Sequence, residues 1–229
     1  MMRPWERLLT VAFKALFRRT LQRGLRGVWV RGALPGQACV LAGNHHSWWD
    51  GYLLPVLFWG AGRPFRIVVG ERRLREFAFF RHLDTVSASK PRDALAALKR
   101  GEVLIVFPEG ELCPPGPLGE LSRGVVWFAE QALVPVVPVA SRVVLRGHEY
   151  PEAYLVFGAP IEPDLKLLRE QLEQMLAGLD DQIRNAPPEE PLPGFELWLA
   201  GRRSTHERMA AWGAALGKLI ALAERKGAS

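Results

Sequence analysis

The chain has 229 residues, 48% of them hydrophobic and 24% charged, enough to bury one full-sized core with at most an appendage, which excludes a disordered tail. Every apolar run is cut by charge or proline well short of the roughly 18 residues a membrane span needs, and no repeat period is visible. The net charge of +6 is concentrated at one end: Arg3, Arg7, Lys14, Arg18, Arg19, Arg23, Arg26 and Arg31 stand against Glu6 alone, so the rest of the chain is close to neutral.

Residues 3–22 read as a basic amphipathic helix, with Arg3, Arg7, Lys14 and Arg18 in one sector and Leu9, Phe13, Leu16 and Phe17 elsewhere. Such a helix can lie in a membrane interface with Trp5, Phe13 and Phe17 at acyl depth, or pack on its own core with a solvated arginine face. Lys14, Arg18 and Arg19 interrupt any secretory apolar stretch.

Ala38 to Leu41 then reads as a buried strand delivering a loop at Gly43-Asn44. Arg66 to Val69 is strand-like, Glu71 to Phe80 helical, and Pro91 to Arg100 a helix with proline in its first turn and Gly101 after its end. Val103 to Phe107 is a second buried strand, broken by Pro108-Glu109-Gly110, and the proline- and glycine-rich 112–121 stretch is a loop. Gly124 to Leu133 is helical. Val134 to Val139 is strand-like, but Pro135 and Pro138 predict an edge or irregular segment. Val143 to Leu145 and Tyr154 to Phe157 complete the strands, Asp164 to Asn185 is a helix with Leu168, Leu172, Met175 and Leu179 toward the core, and Phe195 to Arg225 is helical beyond a proline-rich linker. The alternation predicts an α/β fold with a mostly parallel central sheet flanked by helices. The expected organisation is a basic membrane-associating helical segment over 1–31, an α/β core over 32–163, and a helical cover of the same domain over 164–229.

Chemistry concentrates in Asn44-His45-His46-Ser47-Trp48-Trp49-Asp50-Gly51, directly after a strand, where α/β domains place their sites. An imidazole with an ordinary pKa of about 6.5 can take the proton of an alcohol as it attacks a thioester, and a carboxylate on the far ring nitrogen sets the tautomer. His45 and Asp50 are five apart, about 140° on a continuous helix, so they meet only where the chain bends. Phe107-Pro108-Glu109-Gly110 also follows a strand, and in a parallel sheet it reaches the same edge. Cys113, with no histidine near it in sequence, reads as a passive thiol, and two cysteines fit a reducing compartment.

These blocks resemble the phospholipid/glycerol acyltransferase family, typified by enzymes that acylate lysophosphatidic acid. Its Asn-His-x4-Asp block is matched by Asn44, His45 and Asp50. Its Phe-Pro-Glu-Gly block is matched by Phe107, Pro108, Glu109 and Gly110, and its Val-Pro-Val-Ile-Pro-Val run by Val134 to Val139. The matches fall in the family's order over roughly residues 38–160. The resemblance implies an O-acyltransferase, using acyl-CoA or acyl carrier protein as co-substrate and no cofactor or metal, at the cytoplasmic face of a membrane as a peripheral enzyme. Its implied catalytic residues are His45 and Asp50, and its implied substrate-binding set is Asn44, Phe107, Pro108, Glu109 and Gly110, to which Lys90 and Arg123 are added as this sequence's own candidates for holding any phosphate. The implied partners are the thioester donor, a lipid acceptor such as a lysophospholipid, and the membrane surface, with no nucleic acid.

Two departures bear on the acceptor. Glu111 stands where the family carries a phosphate-holding arginine, and residues 83–90 lack the Gly and Arg of a second phosphate block, leaving Lys90 or Arg92 as substitutes there and Arg123, or Arg72 and Arg73, as cations from elsewhere. A hydroxylated or glycosylated lipid is therefore an alternative acceptor. Two other readings stay open: His46 as base, since His-His-x-x-x-Asp-Gly also resembles the chloramphenicol acetyltransferase and condensation motif, and a non-catalytic lipid-binding module.

Overall fold

The computed structural model describes residues 4–77, 79–80, 83–210 and 212–213. Eight strands form one sheet in the order β4-β3-β5-β2-β6-β7-β1-β8: β1 Gly27–Arg31, β2 Val40–Gly43, β3 Phe65–Val69, β4 Thr85–Ser87, β5 Val103–Val106, β6 Val136–Val144, β7 Glu152–Phe157 and β8 Glu196–Ala200. Strands β4, β3, β5, β2 and β6 run parallel to one another, while β7 is antiparallel to β6 and β8 to β1. The residues after β2 and after β5 therefore leave the sheet at one edge.

Alternate residues of each central strand face opposite layers. Leu41, Ile105, Val137 and Val139 meet α1 (Pro4–Gly24) and α2 (Asp50–Gly60), which is apolar all round and buried through Leu53, Leu54, Val56, Leu57 and Phe58. Val40, Ala42, Leu104 and Ala140 meet α4 (Pro91–Lys99), α5 (Gly124–Ala132) and α6 (Leu165–Asn185) through Leu98, Phe128, Leu168 and Leu172. Asp164 caps α6 by accepting the N–H of Leu167.

Several expectations change. The 134–139 stretch opens a central strand, not an edge: β6 lies between β2 and β7. Pro135 precedes the strand, its carbonyl accepting Val40 N–H. The carbonyl of Pro138 points toward β7, where it accepts Gly158 N–H one residue past that strand's end, so its missing N–H also falls where the ladder stops. The α3 helix is short, Glu71–Glu76, instead of reaching Phe80. β1 lies inside the segment expected to be helical over 1–31, and β8 inside the tail expected to be helical from Phe195, so both terminal segments join the core sheet. Helix resumes at residues 205–210, and the expected helical residues 214–225 lie outside those described.

Helix α1 packs on the core through Phe13 and Phe17 with Arg18, Arg19 and Arg23 solvated, the second of its two sequence readings. Phe17 is 5% exposed, packing on Tyr52 and Trp59, and Phe13 stacks on Phe79, so neither is available at acyl depth. Lys14 also turns inward, over Trp59 and 3.6 Å from Asp84. The outward face instead carries Trp5, Leu8, Leu9, Val11 and Leu16, followed by the exposed Arg18, Arg19 and Arg23. Arg3 lies outside the described residues. At the helix end the ring of Trp49 lies where a Cβ on Gly24 would be, so glycine there lets α1 close onto the loop before α2.

Candidate active site

Strand β2 ends at Gly43, and the chain turns through residues 44–49 into α2, whose first residue is Asp50. The fold thereby supplies the bend, and the start of α2 favours a negative charge. Asp50 is almost fully buried. Its Oδ2 accepts the N–H of Ser47 at 2.8 Å and lies 3.2 Å from His45 Nδ1, while its Oδ1 accepts the hydroxyl of Ser141 at 3.0 Å. A carboxylate only accepts, so His45 donates from Nδ1 and its Nε2 is left as an acceptor. The His45 side chain is 22% exposed, and its ring stacks on Phe107 with centroids 4.5 Å apart.

Glu109, in the substrate-binding set that the resemblance implied, lies behind the histidine block with its side chain out of contact with solvent. Its carboxyl is buried, taking His45 N–H at 2.7 Å, Gly119 N–H at 2.9 Å and His46 Nε2 at 3.0 Å. Burial pushes this carboxyl up, but the N–H groups of His45 and Gly119 and the His46 imidazole outweigh it and hold Glu109 below the usual carboxylate range. Gly110 makes the following turn at φ +76°, a conformation open to glycine. Pro108 is buried, and its carbonyl accepts Ser122 N–H.

Asn44 is likewise unavailable to a substrate: its side-chain amide donates to Ser141 O at 3.2 Å and accepts Ser141 N–H at 2.7 Å, tying β2 to β6. Lys90 and Arg123 are exposed, at the positions preceding α4 and α5, and neither enters the hydrogen-bonded network around His45 described above. Cys113 donates its main-chain N–H to His45 O at 2.8 Å. Burial, Glu109 and Glu111 all push its thiol up, away from a reactive thiolate. Among the described residues no three carboxylate, imidazole or thiol side chains converge as a metal site would require.

The residues that sequence reasoning missed are on β6 and α6: Ser141, Arg142 and Asp180. The one available signal was Arg142, a charge inside the apolar run from Val136 to Val144.

Residues 20–142, just over half of the chain, match the family model described as Acyltransferase. A 1-acyl-sn-glycerol-3-phosphate acyltransferase of Pseudomonas aeruginosa is 29% identical over 169 residues, covering 62% of this chain and 63% of that protein, so the matched region spans less than two thirds of the relative's length. The fold is similar to that of the 1-acyl-sn-glycerophosphate (LPA) acyltransferase PlsC of Thermotoga maritima, with a TM-score of 0.57 and 21% identity over 81% of this chain and 86% of that one.

Proposed function

The chain belongs to the acyltransferase family, and from that premise we propose that it moves a fatty acyl group from acyl-CoA or acyl carrier protein to a hydroxyl of a membrane lipid, a lysophosphatidic acid or another lysophospholipid. The observation that carries the reading is the 3.2 Å contact between His45 Nδ1 and the buried Asp50, which leaves Nε2 as the unprotonated edge of a partly exposed ring. In the reaction Nε2 takes the acceptor's hydroxyl proton as its oxygen bonds to the thioester carbonyl carbon. The tetrahedral adduct then collapses, the carbon–sulfur bond breaks, and the imidazolium returns the proton to the departing thiolate, leaving an ester and a free thiol. The negative charge of Asp50 stabilises the transient imidazolium, and Phe107 and the main-chain clamp of Glu109 hold the ring in place. Trp49 and Tyr52, half-buried on either side of Asp50 in sequence and in ring contact with each other, support a water-poor setting, which matters because hydrolysis competes for the thioester.

Seating at the cytoplasmic face of the membrane is part of the same proposal. The exposed Trp5, Leu8, Val11 and Leu16 would enter the interface while Arg18, Arg19 and Arg23 meet anionic headgroups. Among the described residues no helix is long and apolar enough to cross a bilayer. A second acceptor reading, a hydroxylated or glycosylated lipid, is favoured by Glu111, an exposed carboxylate two residues from the Cys113 contact to His45 that would repel a phosphate.

The test is thioester consumption with mass spectrometry of the lipid product, in the wild type and in a folded His45→Ala variant. Loss of nearly all turnover in the variant supports the reading. Turnover that survives the substitution removes His45 as base, and a wild type inactive at every pH indicates a binding module. The species gaining a chain in overproducing cells, and losing it in cells without the protein, names the acceptor.

A further inference from the structure

We propose that Arg142, clamped by Asp180, is a positioning residue that together with Glu109 selects the ring tautomer of His46, and through that buried chain of bonds fixes the main chain of the base. The inference rests on the reading of His45 as base, and it concerns groups that touch no substrate.

Arg142 Nη1 lies 2.8 Å from His46 Nδ1, and a guanidinium only donates, so Nδ1 must accept. The ring proton is then on Nε2, which lies 3.0 Å from Glu109 Oε1 and donates to it. Both edges of His46 are thus engaged in a buried setting, which leaves this imidazole no edge for an acceptor alcohol and separates its role from that of its neighbour.

Arg142 is itself held from the other side. Its Nε and Nη2 reach Asp180 Oδ1 and Oδ2 at 2.6 and 2.8 Å, and Nη2 also donates to Gly116 O at 3.2 Å. One guanidinium on β6 therefore joins α6, the 112–121 loop and the histidine block. The planar fork matters, because a bidentate carboxylate pair fixes the direction of the remaining donor in a way that a lysine ammonium cannot.

Glu109 transmits this order. It has one oxygen on His46 and Gly119 N–H, and the other on His45 N–H at 2.7 Å. If His46 adopts the other tautomer, its Nε2 becomes an acceptor facing a carboxylate oxygen, and the two repel. Glu109 then shifts, and the peptide carrying His45 shifts with it, moving the ring relative to Asp50. A misplacement near 1 Å at a reacting group can cost about 10²-fold in rate.

The test combines a spectrum and a rescue. Nitrogen NMR of the full chain labelled in histidine, with His46 assigned by its loss in His46→Gln, should show Nδ1 bare and Nε2 protonated in the wild type. Arg142→Met, which keeps a similar stem but removes the donor, should lower kcat by about 10²-fold with KM little changed, since substrate contacts remain. His46→Leu should fall equally, whereas His46→Gln, whose amide offers one donor and one acceptor spaced much like the imidazole nitrogens, should recover most of the loss. A wild-type proton on Nδ1, a folded Arg142→Met with unaltered kcat, or a His46→Gln as poor as His46→Leu would each overturn the proposal. The wild-type spectrum needs neither turnover nor a folded Arg142 variant, so it decides the tautomer even if His45→Ala retains activity and the base is reassigned.

Discussion

Replacing Asp50 by Asn isolates the charge of the carboxylate from its geometry. Asp50 accepts from three donors: His45 Nδ1 and Ser47 N–H on one oxygen, and the Ser141 hydroxyl on the other. An asparagine with its oxygen toward Ser47 and His45 keeps the first two bonds, and its amide nitrogen then faces Ser141 Oγ. That hydroxyl can rotate to accept, redirecting its own hydrogen toward Asn44 Oδ1, 3.5 Å away. The tautomer of His45 is preserved, and only the attraction between the carboxylate and the imidazolium is lost. For charge centres about 4 Å apart at an effective permittivity of about 20, that attraction is about 4 kcal/mol. With about 1.4 kcal/mol per tenfold, the rate should fall about 10³-fold. The assay is thiol release from the acyl donor under saturating acceptor, with a thermal melt to establish folding. A loss below about tenfold in a folded variant would refute the electrostatic role of Asp50, since an effect so small corresponds to about 1.4 kcal/mol or less.

The two faces of α1 should respond oppositely to substitution. Phe17→Ala empties a space between Tyr52 and Trp59 and should cost about 3–5 kcal/mol in a denaturant titration. Leu8→Glu, at a side chain 71% exposed, should leave stability within about 0.5 kcal/mol yet reduce cosedimentation with anionic vesicles. At the far side of the sheet, burial pushes Glu207 up, but Arg26, the Ser204 N–H and His148 overcome it and hold this carboxyl down to about 2 from an ordinary 4.5. A lowered folded value means stability that is complete above the unfolded pKa and lost as pH falls through the folded one. The melting-temperature gap between wild type and Glu207→Gln should therefore be constant above about pH 5.5 and shrink progressively toward pH 2; a gap unchanged on acidification would refute the assignment.

What the sequence determined by itself was local. The apolar run before Gly43-Asn44, the breaker after Val103 to Phe107, and the proline start and glycine end of α4 each depend on neighbours within a few residues, and the structure has them close to where they were expected. The pattern of strands and helices pointed to a mostly parallel sheet, and the two motif-bearing loops share one edge because their strands are parallel. Tertiary structure decided the rest. Residues 136–144 are central because they pair with β2 on one side and β7 on the other, and Pro138 is tolerated there because β7 ends where its donor is missing, which no window around Pro138 reveals. Gly27–Arg31 and Glu196–Ala200 become strands by pairing with each other and, for the first, with β7, a contact between opposite ends of the chain. Helix α1 carries two apolar stripes, and periodicity reports both without saying which meets Tyr52 and Trp59. Asn44, His46 and Asp50 find Ser141 and Arg142 more than ninety positions away. A motif records which groups are present. Whether a histidine in it serves as base or as brace depends on what faces its second nitrogen, and that partner is supplied by distant chain brought near only when the sheet assembles.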